Sequence, residues 1–107
     1  MKELYKLHAE LCGVFSNPTR LEILNLLRDG ELSVSELTEK TKLSQANISQ
    51  HLSIMRSKGV VVSNRKGKNI CYQLANHRII EAFDIIREIM VERLKKNGKL
   101  VRNGGKT

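Results

Sequence analysis

Tryptophan is absent from this 107-residue chain, proline occurs once, cysteine twice, and aromatic residues make up 4%. Each shortage excludes something. So few aromatics leave no stacking platform for single-stranded nucleic acid. Two cysteines, Cys12 and Cys71, are too few for a disulfide framework and are expected to be thiols in a reducing compartment. No apolar run approaches the ~20 residues of a membrane span. The N-terminal MKELYKLHAEL lacks the apolar core of a signal peptide. A cytoplasmic protein without a membrane partner is therefore expected. No nucleophile–base–acid arrangement, Gly-rich phosphate loop or metal motif stands out, so catalysis is not expected and no cofactor is required. Acidic residues are also scarce: 11 against 19 Lys and Arg, a net charge of +8. A surplus of that size points to a polyanionic partner, nucleic acid before an anionic membrane.

What is present is organised around residues 44–59, SQANISQHLSIMRSKG. Ser44 can cap a helix, since its hydroxyl can accept from an unpaired first-turn amide. Gly59 suits the position just past the end, where a left-handed backbone is free for glycine. Ile48, Leu52 and Met55 recur at helical spacing and face inward. The other side carries Ala46, Ser49, Gln50 and Ser53, flanked by Gln45 and Asn47. An ordinary solvated helix carries Lys and Glu there. Amides and hydroxyls are instead the groups that read base edges in a major groove.

The rest of the chain presents that helix. Residues 2–13 read as a helix with Leu4, Leu7 and Leu11 in a stripe, extended by Val14 and Phe15. Asn17 caps the next helix and Pro18 occupies its first position, where a missing amide costs nothing. This second helix, to Arg28, carries Leu21, Ile23, Leu24, Leu26 and Leu27 and is expected at the centre of the core. Ser33 and Glu36 form a capping box for a helix to about Lys42. The tight Leu43-Ser44 connection then gives a helix-turn-helix. After Gly59 the period alternates. Strands are expected at residues 60–63 and 69–74, around an Asn64–Lys68 turn bearing Arg65, Lys66 and Lys68. Ile70, Tyr72 and Leu74 would share one face, Cys71 and Gln73 the other. Beside a helix-turn-helix such a cationic hairpin is a wing, with its tip on phosphates. Asn76 is expected to cap a last helix to Lys96 with an apolar stripe of Ile79, Ile80, Phe83, Ile86, Met90 and Leu94. So large a stripe needs a partner. The fold expected is mainly α with a small β-hairpin: a winged helix-turn-helix, dimerised through its first and last helices. One domain spans residues 1–96, and residues 97–107 form a flexible basic tail.

The segments FSNPTRLEILNLL (15–27), ELSVSELTEKTKLSQANISQHLSIMRSKGVV (31–61) and the YQL that ends the wing (72–74) resemble the ArsR/SmtB family of winged-helix repressors. The resemblance implies a homodimer that binds an inverted-repeat operator in double-stranded DNA and leaves it when an inducer binds. It places recognition residues at Ser44, Gln45, Ser49 and His51. Asn47, Gln50, Arg65, Lys66 and Lys68 join them from the face and tip described above.

The departures from the family are informative. Its Cys-x-Cys metal site falls on Ser33 and Ser35, and hydroxyls do not replace thiolates for soft metals. Its other site falls on Asn76, Arg78, Ile89 and Glu92, of which only Glu92 could ligate. Neither usual site is expected. The remaining candidates for sensing are His8 and Cys12, one helical turn apart; a Cys12–Cys71 redox pair, which the family's thiol-based sensors suggest; and His77, Glu81, Asp84 and Glu88 on the last helix. Ordinary surface or half-buried side chains explain each of these at least as well. The inducer, a thiol or redox signal or a metal or metalloid, is left open. The alternative function is a winged-helix protein-interaction module without sequence-specific DNA binding.

Overall fold

Three side-chain caps set where the helices of the N-terminal part begin. The computed structural model describes residues 1–98. Helix α1 spans Lys2–Val14 and runs through Gly13 without a break. Helix α2 (Pro18–Leu26) starts with Pro18 at its first position, and the Asn17 side chain accepts from the Arg20 amide. A short 3-10 turn, Leu27–Asp29, takes the place of its expected last turn. Helix α3 (Val34–Thr41) carries the complete capping box: the Glu36 amide donates to Ser33 Oγ at 3.1 Å, and the Ser33 amide to Glu36 Oε1 at 2.9 Å. These bonds hold the Glu36 carboxyl below its ordinary pKa. Helix α4 (Gln45–Ser57) starts at Ser44, whose Oγ accepts from the Asn47 amide at 3.1 Å.

Strands β1 (Leu32–Ser33), β2 (Val61–Lys66) and β3 (Asn69–Leu74) form one antiparallel sheet in the order β1-β3-β2. Two features differ from the sequence expectation. The hairpin strands run on to Lys66 and resume at Asn69, so the turn is Gly67-Lys68 rather than Asn64–Lys68. Gly67 has φ 63°, and glycine first is a favoured pattern for a two-residue hairpin turn. Arg65 and Lys66 therefore stand on a strand, and Lys68 in the turn. The second difference is β1, a two-residue strand that pairs Leu32 with Tyr72 and Ser33 with Cys71. It is too short to show any alternation. Its effect is on β3: Cys71, flanked by Ser33 and Asn64, is buried, while Ile70 lies beyond the reach of β1 and is 42% exposed. The expected face of Ile70, Tyr72 and Leu74 is thus only partly covered.

The chain divides into two units, residues 1–77 and the part from Arg78 onward. In the first, α2, α3 and α4 pack on one another, α4 on β2, and α3 on β3. Ile23, Leu24, Leu27, Leu37, Ile48, Leu52, Met55 and Val60 are fully buried. Each such side chain contributes about 1.5–3 kcal/mol of transfer free energy. Leu21 departs from its expected core role: it is 40% exposed. On α1, Leu4, Tyr5 and Leu7 are well exposed.

The second unit contains α5 (Arg78–Lys96). Arg93, Lys95 and Lys96 lie in its last turn, where cations oppose the negative end of the helix dipole. Ile80 is buried, but Ile85, Ile86, Ile89 and Met90 are each more than half exposed. The basic tail expected from residue 97 lies outside the described residues from 99 onward. Among the described residues no helix is long and apolar enough to cross a membrane.

Candidate nucleic-acid interface

Helix α4 has the two faces that its sequence requires. Ile48, Leu52 and Met55 are fully buried. Gln45, Ala46, Asn47, Ser49, Gln50 and Ser53 are all exposed, as is the capping Ser44. Helices α2 and α3 and strand β2 pack against α4 from behind, so the amide and hydroxyl side stands outward on a packed support. The turn into α4 is tight because Lys42 takes a left-handed conformation, φ 63°, with its amide donating to the Thr38 carbonyl. At the other end Gly59, φ 75°, reverses the chain, and the Val60 amide donates to the Met55 carbonyl at 2.9 Å. The reversal leads directly into β2. Arg56 of α4 donates to Ser63 Oγ of β2 at 3.3 Å, which ties the helix to the hairpin.

His51 differs from the other candidates on α4. Its ring is half-buried, and its Nδ1 is buried without a hydrogen-bond partner. Burial, and then the Arg20 charge from α2, hold its pKa below the ordinary value for histidine. It is not a freely solvated groove residue.

On the hairpin, Arg65, Lys66 and Lys68 are all exposed. Lys66 is not free, however. Its ammonium forms an ion pair with Glu31, which lies just before β1. The carboxylate hydrogen bond and its charge raise the Lys66 pKa. Nothing in the sequence announces this pair, because the partners are 35 positions apart and meet only through the three-stranded sheet.

The sensing candidates are dispersed. Cys12 is exposed and Cys71 buried, and both are free thiols. His8, one turn before Cys12 on α1, is exposed. His77 Nε2 lies 3.0 Å from the Arg28 carbonyl oxygen, a partner that the sequence did not reveal. Among the described residues no three His, Cys, Asp or Glu side chains gather where they could hold a metal ion.

The fold and the exposed face agree with the comparisons to known proteins. Residues 17–63, from the α2 cap into β2, match the family model described as bacterial regulatory protein, arsR family. The HTH-type transcriptional regulator Rv0081 of Mycobacterium tuberculosis (strain ATCC 25618 / H37Rv) is 36% identical over 88 residues, 81% of this chain and 77% of that protein. This chain belongs to the arsR family. The crystal structure of M. tuberculosis Rv0081 aligns with it at a TM-score of 0.80 and 35% identity, covering 88% of this chain and 95% of that one. The solution structure of Mb0332 from Mycobacterium bovis, described as a homodimeric winged helix-turn-helix DNA-binding domain, aligns at a TM-score of 0.80 and 26% identity, covering 89% and 88%. As an arsR-family member the protein is a DNA-binding transcriptional regulator with a winged helix-turn-helix fold, α3 and α4 forming the helix-turn-helix and β2–β3 the wing.

Proposed function

We propose that the protein is a homodimeric repressor that occludes an operator and is released by an inducer. The exposed amide and hydroxyl side of α4 carries this reading. Gln45, Asn47, Ser49 and Gln50 reach base edges or adjacent phosphates in the major groove, with Ser44 and His51 at the margin. Arg65, Lys66 and Lys68 follow the flanking backbone from the wing. The dimer supplies two such helices about 34 Å apart, facing successive major grooves.

Support for the dimer comes from the exposed apolar residues of α1 and α5. Leu4 and Leu7 are 55% and 62% exposed, Ile85 and Met90 each 59%. Isolated soluble chains rarely expose so many large apolar side chains along two helices. A second copy is the occupant that covers such side chains symmetrically. The inducer acts at Cys12, because a soluble oxidant or metalloid reaches an exposed thiol before a buried one. His8 stands beside it at helical spacing. In this reading the protein works in the cytoplasm, alongside its DNA, and not as an enzyme.

Titration of the full chain against duplex DNA at low salt tests the function. Tight binding that weakens as salt rises supports it. A chain that stays folded yet binds no duplex would favour the winged-helix interaction module instead. Release of DNA by arsenite or oxidants, lost in Cys12→Ser, tests the sensing assignment.

A further inference from the structure

Beside α4, but outside its outward face, lies a cation that pairs with no carboxylate among the described residues. Arg20 is in the first turn of α2, its backbone fixed because its amide donates to the capping Asn17 Oδ1 at 3.1 Å. The side chain is half-buried where α2 packs on α4. Its Nε is buried with no hydrogen-bond partner, and no carboxylate pairs with the guanidinium among the described residues. Its charge bears on His51 of α4, whose Nδ1 is likewise buried and unpartnered. Both residues are half-buried rather than fully enclosed. A half-buried guanidinium set beside an imidazole, with no acid in reach, is an unfavourable arrangement for the free protein. It becomes favourable when an anion arrives from outside, because guanidinium nitrogens form strong charge-assisted bonds with phosphate oxygens.

The position says which anion. His51 follows Asn47 by one helical turn and Ser44 by two, so it borders the line of side chains that faces the groove. A duplex seated on α4 brings its backbone to that border. We propose that Arg20 and His51 together seat one backbone phosphate of the DNA, so that α2 contacts the duplex as well as α4 and the wing. This rests on the DNA-binding reading of α4 above. Two nitrogen donors from separate helices fix the angle between α4 and the groove; a contact from α4 alone would leave it able to roll. The phosphate is read by charge and geometry, not by sequence.

Equilibrium binding of the full chain to a duplex it recognises and to a scrambled one, across a salt series, tests this. Arg20→Gln is expected to weaken both complexes by the same factor, about tenfold for each protomer, the usual scale for losing a charge-assisted bond. The slope of log affinity against log salt should fall by about 0.9 for each protomer, about 1.8 for the dimer. Arg20→Lys should restore most of that slope. His51→Gln in an Arg20→Gln background should add little, since both serve one phosphate. Independently of how the variants fold, wild-type protein can be titrated with duplexes bearing a single methylphosphonate at successive positions. One position in each half-site should cost about half of the Arg20→Gln loss in log affinity. An unchanged salt slope in folded Arg20→Gln, or no position with that effect, overturns the phosphate seat. Wild-type protein that binds no duplex overturns the DNA reading itself, and the seat with it.

Discussion

Lys42 holds a left-handed backbone, φ 63°, at the turn between α3 and α4. A side chain there costs about 1–2 kcal/mol relative to a helical conformation. Glycine would remove that cost but lose backbone entropy worth about 0.5–1 kcal/mol. Lys42→Gly is therefore expected to stabilise the fold by up to about 1 kcal/mol, raising the melting temperature by a few degrees. Gly59→Ala, at φ 75°, should do the reverse by a similar amount. Calorimetry of both variants checks the pair. Lys66 and Glu31 make a second test at this scale. DNA phosphates must displace the Glu31 carboxylate before Lys66 can serve them. Lys68→Ala should then flatten the salt dependence by about 0.9 for each protomer and Lys66→Ala by less, while Glu31→Gln should strengthen binding to any duplex. Anisotropy titrations at several salt concentrations separate the three. His51 gives a pH signature. Its folded pKa is lowered, so below the ordinary value of about 6.5 the unfolded chain binds the extra proton first. Stability held at neutral pH is lost as pH falls from there toward the lowered pKa. His51→Gln should flatten that limb in denaturant titrations between about pH 7 and 5.

At the scale of elements, most of the scaffold was legible because it is local. Asn17, Ser33 and Ser44 announce three helix starts through bonds to amides three positions on. Ile48, Leu52 and Met55 mark the inner side of α4 by period alone, and burial agrees. What was not legible depends on contacts distant in sequence. β1 has two residues and no pattern, yet it decides that Cys71 is buried and Ile70 exposed. Leu21 looks like a core leucine in sequence, but α2 turns it outward, with the inner positions taken by Ile23, Leu24 and Leu27. The lowered pKa of His51 draws in part on the Arg20 charge from another helix, and the Lys66 pair needs the whole sheet. The cap of α3 can be weighed directly. Ser33→Ala should cost about 0.5–2 kcal/mol, read by urea unfolding, because the Glu36 amide loses its acceptor while the residue-33 amide keeps the Glu36 carboxylate.

At the scale of the whole molecule, the apolar residues exposed on α1 and α5 set the assembly. A charge there should separate the copies without disturbing the core of α2, α3 and α4. Ile86→Glu, at a residue 53% exposed, is expected to give a folded monomer by sedimentation and to lose most operator affinity. That loss follows because one half-site no longer brings the second helix to the DNA. The deepest consequence of the assembly is a spaced pair of outward amide and hydroxyl faces, and a random duplex pool selected with the full chain tests it most directly. Wild-type protein should enrich an inverted repeat with half-sites about 10.5 base pairs apart, and Gln45→Ala should lose preference within each half-site while keeping its affinity for unrelated DNA. A pool that shows no enrichment, or one enriched identically by Gln45→Ala and Ser49→Ala, would contradict base reading by α4.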